Sequence, residues 1–355
     1  MQWATLNTAC IVKWHIEHNS CFRGALQRAA SRKQQTGGKV RLAVYCDEMT
    51  PGNPLAPDTQ RKLCNWFLSS LDFEQEMFNE QNWLPIACIL SSKLKVIDGG
   101  VSQAHRAIME AAILDEHGLV QRGILLEVDG ITVHVGFVFL DPAADELGHK
   151  QILDVKGASG LKPCFKCVNV FMKMHRLAGL PGNVDICEHD PSKFEAMTDS
   201  DLWAMQDELA QDAQIRPAGV PEKETLSGVN ICPHGVLASP ILRQHMHPVK
   251  SRFDRMHNME SNGIADLEIS FLVESLSTSG KYSNHQLNEY VRAGWRVHGK
   301  NVQLTFKDDK LKGNASDVLT AMPILSHFCR TFLQDWEPEI VESFLALFES
   351  YILLR

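Results

Sequence analysis

Two short apolar runs, far apart in the chain, each give out on an aspartate, and no other feature constrains the fold as much. KVRLAVYC at 39–46 has the length and composition of a buried strand and stops at Asp47, before the turn-rich EMTPGN. GFVFL is followed by DPAADELGHK, so a second strand gives way to Asp141 or Asp145 at the head of a helix. WLPIACIL at 83–90 is another strand candidate. GILLEVDGITVHVGFVFL reads as two strands turning at Asp129-Gly130, a hairpin signal. Helical spacing marks 57–80, 101–116, 258–276 and 315–335. That order predicts an α/β core with a mainly helical remainder.

The chain has 355 residues, 44% of them hydrophobic, ample for a buried core. It has no run of 18 apolar residues, so no membrane span is expected. The start, MQWATLNTACIVKWHIEH, lacks a basic end followed by an apolar run, so an intracellular protein is expected. Ten cysteines are too few for a disulfide scaffold, and Cys10, Cys46, Cys64 and Cys88 read as reduced residues in apolar settings.

Four segments are expected. Residues 1–38 form a helix followed by the basic loop SRKQQTGGK, and 39–155 hold the first part of the sheet core. Residues 156–240 form a Cys/His-bearing insertion with a short acidic helix, and 241–355 complete the core and add helices. The final run EIVESFLALFESYILLR reads as an amphipathic helix cut short, so a fragment is expected.

A carboxylate at a strand end projects from a rigid edge, which suits hard divalent cations. Asp47 and Asp145 both have that placement, although an Asp before Pro-Gly-Asn also starts a turn and an Asp before a helix also caps it. Paired Mg²⁺ or Mn²⁺ ions need carboxylates fixed on adjacent rigid elements. Cys164 and Cys167 in KPCFKC have the spacing that grips one Zn²⁺, and a structural site needs four ligands. Cys187 and His189 offer the second pair; Cys232 and His234 are its rival. Asp254 and His257 lie three apart, on one face of a helix. Asp317, Glu260 and Glu268 are further acidic candidates.

Taken in this order, these pieces resemble the DDE/D transposase domains of the CACTA, Chapaev and Plavaka group, from about residue 39 to about 335. The matching elements are VYCDEMTPGN with Asp47, then DELGHKQILDVKGASGLKPCFKC with Asp145 ahead of the Cys pair. Asp254-Arg-Met-His257 follows, and KLKGNASDVLTAMP comes last with Asp317. The resemblance implies a ribonuclease-H-like mixed sheet flanked by helices, with a zinc-knuckle insertion and a helical C-terminal part. It implies Asp47, Asp145 and Asp317 as the catalytic acids around Mg²⁺ or Mn²⁺, with Asp254 and His257 as a further motif. It implies structural zinc on Cys164, Cys167, Cys187 and His189, the last two matching the family's follow-up better than Cys232 and His234.

The activity implied is cleavage of transposon ends and strand transfer into target DNA, in the nucleus, by a homo-oligomer. A net charge of −8 is unusual for a DNA-binding chain. DNA contact is therefore expected from local cations: Lys156, Lys162, Arg243, Lys250, Arg252, Arg255, Lys307, Lys310 and Lys312. Two other classes stay open: a catalytically inactive transposon-derived binding protein or gene fragment, and a zinc-stabilised interaction protein.

Overall fold

The structure is a computed structural model that describes residues 7–49, 62–253, 263–295, 305–307, 310–312, 315–333, 336 and 338–353. The chain divides into two compact units, residues 1–252 and 253–355.

The first unit opens with two helices, α1 (Thr8–His18) and α2 (Ser20–Thr36). Asn19 caps α2 by accepting from Phe22 N, and Gly37 ends it at φ 65°. The stretch expected as a basic loop therefore belongs largely to α2, because the chain meets no helix stop before Gly37. The helix buries Phe22, Ala25, Leu26, Ala29 and Ala30, a spacing of three and four that forms one apolar stripe.

The sheet follows. β1 (Val40–Met49) pairs antiparallel with β2 (Leu63–Ser70), and β2 pairs antiparallel with β3 (Leu84–Leu90). The helix expected over 57–80 is a strand and a 3-10 turn (Leu71–Phe78) among its described residues. Leu-Cys-Asn-Trp-Phe-Leu is buried on both faces, so it lacks the alternation that marks a strand, and pairing on two sides decides its form. Asp72 locks this corner. Its carboxylate accepts from Arg41 N at 2.7 Å and Arg41 Nε at 2.8 Å, and Lys33 Nζ lies 3.1 Å away. Burial alone would raise this carboxyl, but the bonds from Arg41 and Lys33 outweigh it and hold the group below the usual range.

A short α3 (Ser91–Leu94) leads to α4 (Gly100–Ile108), which runs on as a wider helical turn over Met109–Leu114. After α5 (Leu119–Arg122) come β4 (Ile124–Val128) and β5 (Ile131–Val135). They turn at Asp129 (φ 51°) and Gly130 (φ 77°), the two positive φ angles of a type I′ hairpin. The single strand expected to run on to Asp141 is two strands. The chain breaks at Gly136, and β6 (Phe137–Ala144) leaves the hairpin to pair parallel with β1. The five-stranded order is β3-β2-β1-β6-β9, with β9 at Arg252–Phe253.

α6 (Glu146–Ile152) follows β6 directly. The 156–240 segment holds the two-residue strands β7 (Val170–Phe171) and β8 (Val184–Asp185), then α7 (Asp199–Ile215) and α8 (Val220–Ser227). Thr198 and Asp201 form a reciprocal capping box that starts α7.

The second unit contains α9 (Ile264–Thr278), α10 (Asn284–Trp295), the hairpin β10 (Thr305–Lys307) and β11 (Lys310–Lys312), α11 (Ala315–Phe332) and α12 (Pro338–Leu353). Ile269, Leu272, Leu325 and Phe344 are central to its core. The chain is thus a mixed α/β protein. Among the described residues no helix is long and apolar enough to cross a membrane.

Candidate active site

Asp47 lies within β1, opposite Asn65 of β2, and the strand continues to Met49 rather than ending at the acid. On its other side β1 runs parallel to β6, with Tyr45 beside Ala143. Two residues further along the two chains stand Asp47 and Asp145, so the parallel register carries the two acids to the same end of neighbouring strands. Asp145 is the first residue past β6 and the N-cap of α6, accepting from Gly148 N at 2.5 Å. Gly148 is needed for this junction. A Cβ there would sit 2.7 Å from the Ala144 Cβ and 3.0 Å from Asp145 Oδ1. Asp47 Oδ1 accepts from Glu48 N at 2.7 Å.

Cys46 feels both acids. Its thiol is held well above the ordinary value, first by its contact with Cys64, whose sulfur is 3.4 Å away, and then by burial. The charges of Asp47 and Asp145 push in the same direction.

His149 sits one helical turn beyond Asp145, buried, with Nε2 2.9 Å from the Arg252 carbonyl. Burial holds its imidazole below the ordinary value. The bond to Arg252 and the charge of Asp145 oppose that shift, and Lys166 adds to it. His105 on α4 is wholly buried, accepts from Trp66 Nε1 at 3.1 Å, and is pushed down to about 3 by burial, with a smaller push from His149. Burial thus biases both imidazoles toward the neutral form.

The cysteine pair is formed: Cys164 and Cys167 have sulfurs 3.9 Å apart. Burial pushes the Cys167 thiol up to about 11, and Cys164 adds to the shift. Cys187 and His189 do not join them. Both are exposed in the turn after β8, where Cys187 N donates to Asp185 Oδ1 at 2.6 Å and His189 N to Glu188 Oε1 at 3.0 Å. Among the described residues no three His, Cys, Asp or Glu side chains gather as a metal site. The expected four-ligand zinc site is thus represented by two thiols, which do not by themselves fit a structural zinc.

The rival pair lies elsewhere. Cys232 is buried against Asp154 and lines a cleft of about 410 Å³ with Glu48, Cys64, Asp98 and Gln151; His234 lies on its margin, 4.0 Å from Asp98. Asp154 went unnoticed in the sequence. It has φ 52°, and burial pushes its carboxyl up to about 7 against bonds from Ser102 and Cys232. An aspartate inside Ile-Leu-Asp-Val carries no spacing signal; a polar residue inside an apolar run was the only hint.

The remaining candidates fall in the second unit or outside the described residues. Asp317 is in the first turn of α11 and Glu268 is on α9. Asp254, Arg255, His257 and Glu260 lie outside the described residues. Several cations expected to face phosphates are otherwise engaged. Arg243 forks onto Asp207 at 2.7 and 2.5 Å and stacks on Trp203. Lys156 lies 3.6 Å from Glu224, and Lys162 is buried. Lys250 and Arg252 are exposed; Lys307, Lys310 and Lys312 belong to the β10–β11 hairpin. No protein-family model matches the chain, and no curated protein matches it.

Proposed function

We propose that this chain is the catalytic core of a metal-dependent enzyme that cleaves and joins DNA strands, of the DDE/D transposase type. The observation that carries the reading is the placement of Asp47 and Asp145 at one end of the parallel β1–β6 pair. The ribonuclease-H-like assignment rests on strand order: three antiparallel strands, then β6 entering parallel beside β1.

The donor chemistry of the pair fits Mg²⁺ or Mn²⁺, since two hard carboxylates stand on rigid backbone. When bound, such ions activate the attacking hydroxyl and stabilise the leaving oxygen. The protein's own part is positional. The ladder to β2 fixes Asp47, and the tight turn at Gly148 fixes Asp145. The third acid of this reading is Asp317, with Glu268 or Glu260 as its replacements, and Asp254-Arg-Met-His257 supplies the intervening motif. Holding two transposon ends at once calls for a homo-oligomer, and the substrate places the work in the nucleus.

A second reading, an inactive transposon-derived DNA- or protein-binding protein, is favoured by one specific observation: the net charge of −8, unusual for a chain that neutralises phosphates by itself. One experiment separates the two. Purified chain is incubated with supercoiled plasmid and Mg²⁺ or Mn²⁺, beside Asp47→Asn and Asp145→Asn. Nicking by the native chain, lost by about a hundredfold or more in both variants, supports the enzyme. Nicking that survives both substitutions rejects this site. Binding without nicking selects the second reading.

A further inference from the structure

The chain is acidic overall, yet one cavity is lined by four basic side chains and no acidic one. It encloses about 460 Å³ between the first turns of α1 and the base of the β4–β5 hairpin. Lys13 comes from α1, Arg122 from the end of α5, His117 from the turn before α5, and His134 from β5.

The local structure holds these groups in place. Gly123 has φ 61°, and a Cβ there would lie 2.4 Å from the Val135 carbonyl oxygen and 2.8 Å from the His134 ring. Only glycine lets the hairpin close this tightly onto α5. The closure sets His134 Nε2 2.8 Å from the Arg122 carbonyl. The Arg122 guanidinium is steadied by a carbonyl and an imidazole, neither of them a carboxylate: its Nε donates to the Glu116 carbonyl at 3.2 Å, and Nη2 meets His117 Nδ1.

Its charge is therefore uncompensated. Among the described residues no carboxylate lies within ion-pair distance of Arg122 or Lys13, and the rim acid Glu116 lies 3.5 Å from His117 instead. Gathering cations around a concavity without a counter-charge costs free energy that a bound anion would recover. An arginine fork beside a lysine point charge matches the several acceptor oxygens of a phosphate. The volume falls within the usual range for small-molecule sites.

We propose that this cavity binds a phosphate group, carried either by a nucleotide-sized molecule or by a DNA backbone. The site is separate from the acid pair. β6 begins three residues after His134 and runs eight residues before Asp145, a path of roughly 26 Å at strand rise. The assignment does not depend on the catalytic reading, and its test needs neither metal nor cleavage.

In buffer with chelator, titration calorimetry measures binding of inorganic phosphate and adenosine monophosphate, and fluorescence anisotropy measures binding of a duplex oligonucleotide. The native chain is compared with Lys13→Gln, Arg122→Gln, Arg122→Lys and the Lys13→Gln/Arg122→Gln double variant, each checked by thermal unfolding. At least one probe should lose about tenfold in affinity in Arg122→Gln, more in the double variant and less in Arg122→Lys. Loss confined to the small phosphates assigns a nucleotide-sized ligand, and loss confined to the duplex assigns the DNA backbone. If Arg122→Gln does not fold, Lys13→Gln, on the exposed side of α1, decides alone. The proposal is overturned if no probe binds the native chain, or if every probe binds the folded variants as tightly as it binds the native chain.

Discussion

Gly235 packs onto Asp154 so closely that a Cβ at that position would lie 2.5 Å from Asp154 Oδ2. The same Cβ would meet Ser102 Oγ at 2.6 Å and Cys232 Sγ at 2.9 Å. Asp154 lines the cleft beside Cys232, but its Oδ2 is buried against a backbone that admits no side chain, and burial accounts for its weak acidity.

Asp154 should therefore make the protein less stable as pH rises. Its folded value is raised to about 7, so the folded state holds the proton more tightly than the unfolded one. The stability this proton supplies is fully present below about pH 4 and is lost as pH rises through about 7. Asp154→Asn should remove that slope and stabilise the protein at pH 8 by on the order of 2 kcal/mol, with little effect at pH 4. Thermal unfolding across that range checks it; parallel curves for the two proteins would show that the buried carboxyl is not the source.

Asp72 should behave with the opposite sign. Its carboxyl is held below the usual range by Arg41 and Lys33, so its contribution is present above the unfolded value and lost as pH falls through the lower, folded one. Asp72→Asn should cost about 2 kcal/mol at neutral pH, discounted because Arg41 is partly exposed. The cost should shrink below about pH 3. Urea unfolding at the two pH values reads both numbers.

Asp145 has two roles that different substitutions separate. Asparagine caps a helix about as well as aspartate, so Asp145→Asn should leave stability nearly unchanged while abolishing metal-dependent nicking. Asp145→Ala should lose nicking and about 1 kcal/mol as well, because Gly148 N loses its acceptor. Equal stability for the two variants would show that the cap contributes nothing.

Cys46 should resist alkylation. Its thiol is buried and held protonated by Cys64, by burial and by the two aspartates, and only the thiolate reacts. Iodoacetamide at mildly alkaline pH should label the exposed Cys10, Cys88 and Cys187 first and reach Cys46 only on unfolding. Peptide mass mapping over time gives the order, and early labelling of Cys46 in folded protein would contradict the account.

Local chemistry was legible in the sequence where it decides the structure. Asp129-Gly130 announced its hairpin because few residue pairs accept two positive φ angles, and the strand leading to Asp47 was plain from its apolar run. Leu63–Ser70 was not legible, because a strand buried on both faces has no alternation to read. The break at Gly136 was hidden inside a continuous β-rich run. The adjacency of Asp47 and Asp145 depends on the parallel register, which no local pattern encodes. For the same reason spacing alone could not tell that Cys187 and His189 stand exposed after β8 and do not gather with the Cys164–Cys167 pair.

The parallel pairing of β1 with β6 also has a kinetic meaning. The ladder joins Val40 to Phe137, so it cannot close until β2, β3 and the β4–β5 hairpin have been laid down between them. β1, β2 and β3 form from near neighbours, whereas β6 must return across a long stretch of chain, and closing that stretch costs entropy before any contact rewards it. During synthesis the β1 edge that later receives β6 stays unpaired while the intervening residues emerge. Asp47 and Asp145 therefore come together only when β6 closes onto β1, and a chain stalled short of that step would hold a folded meander without the paired acids.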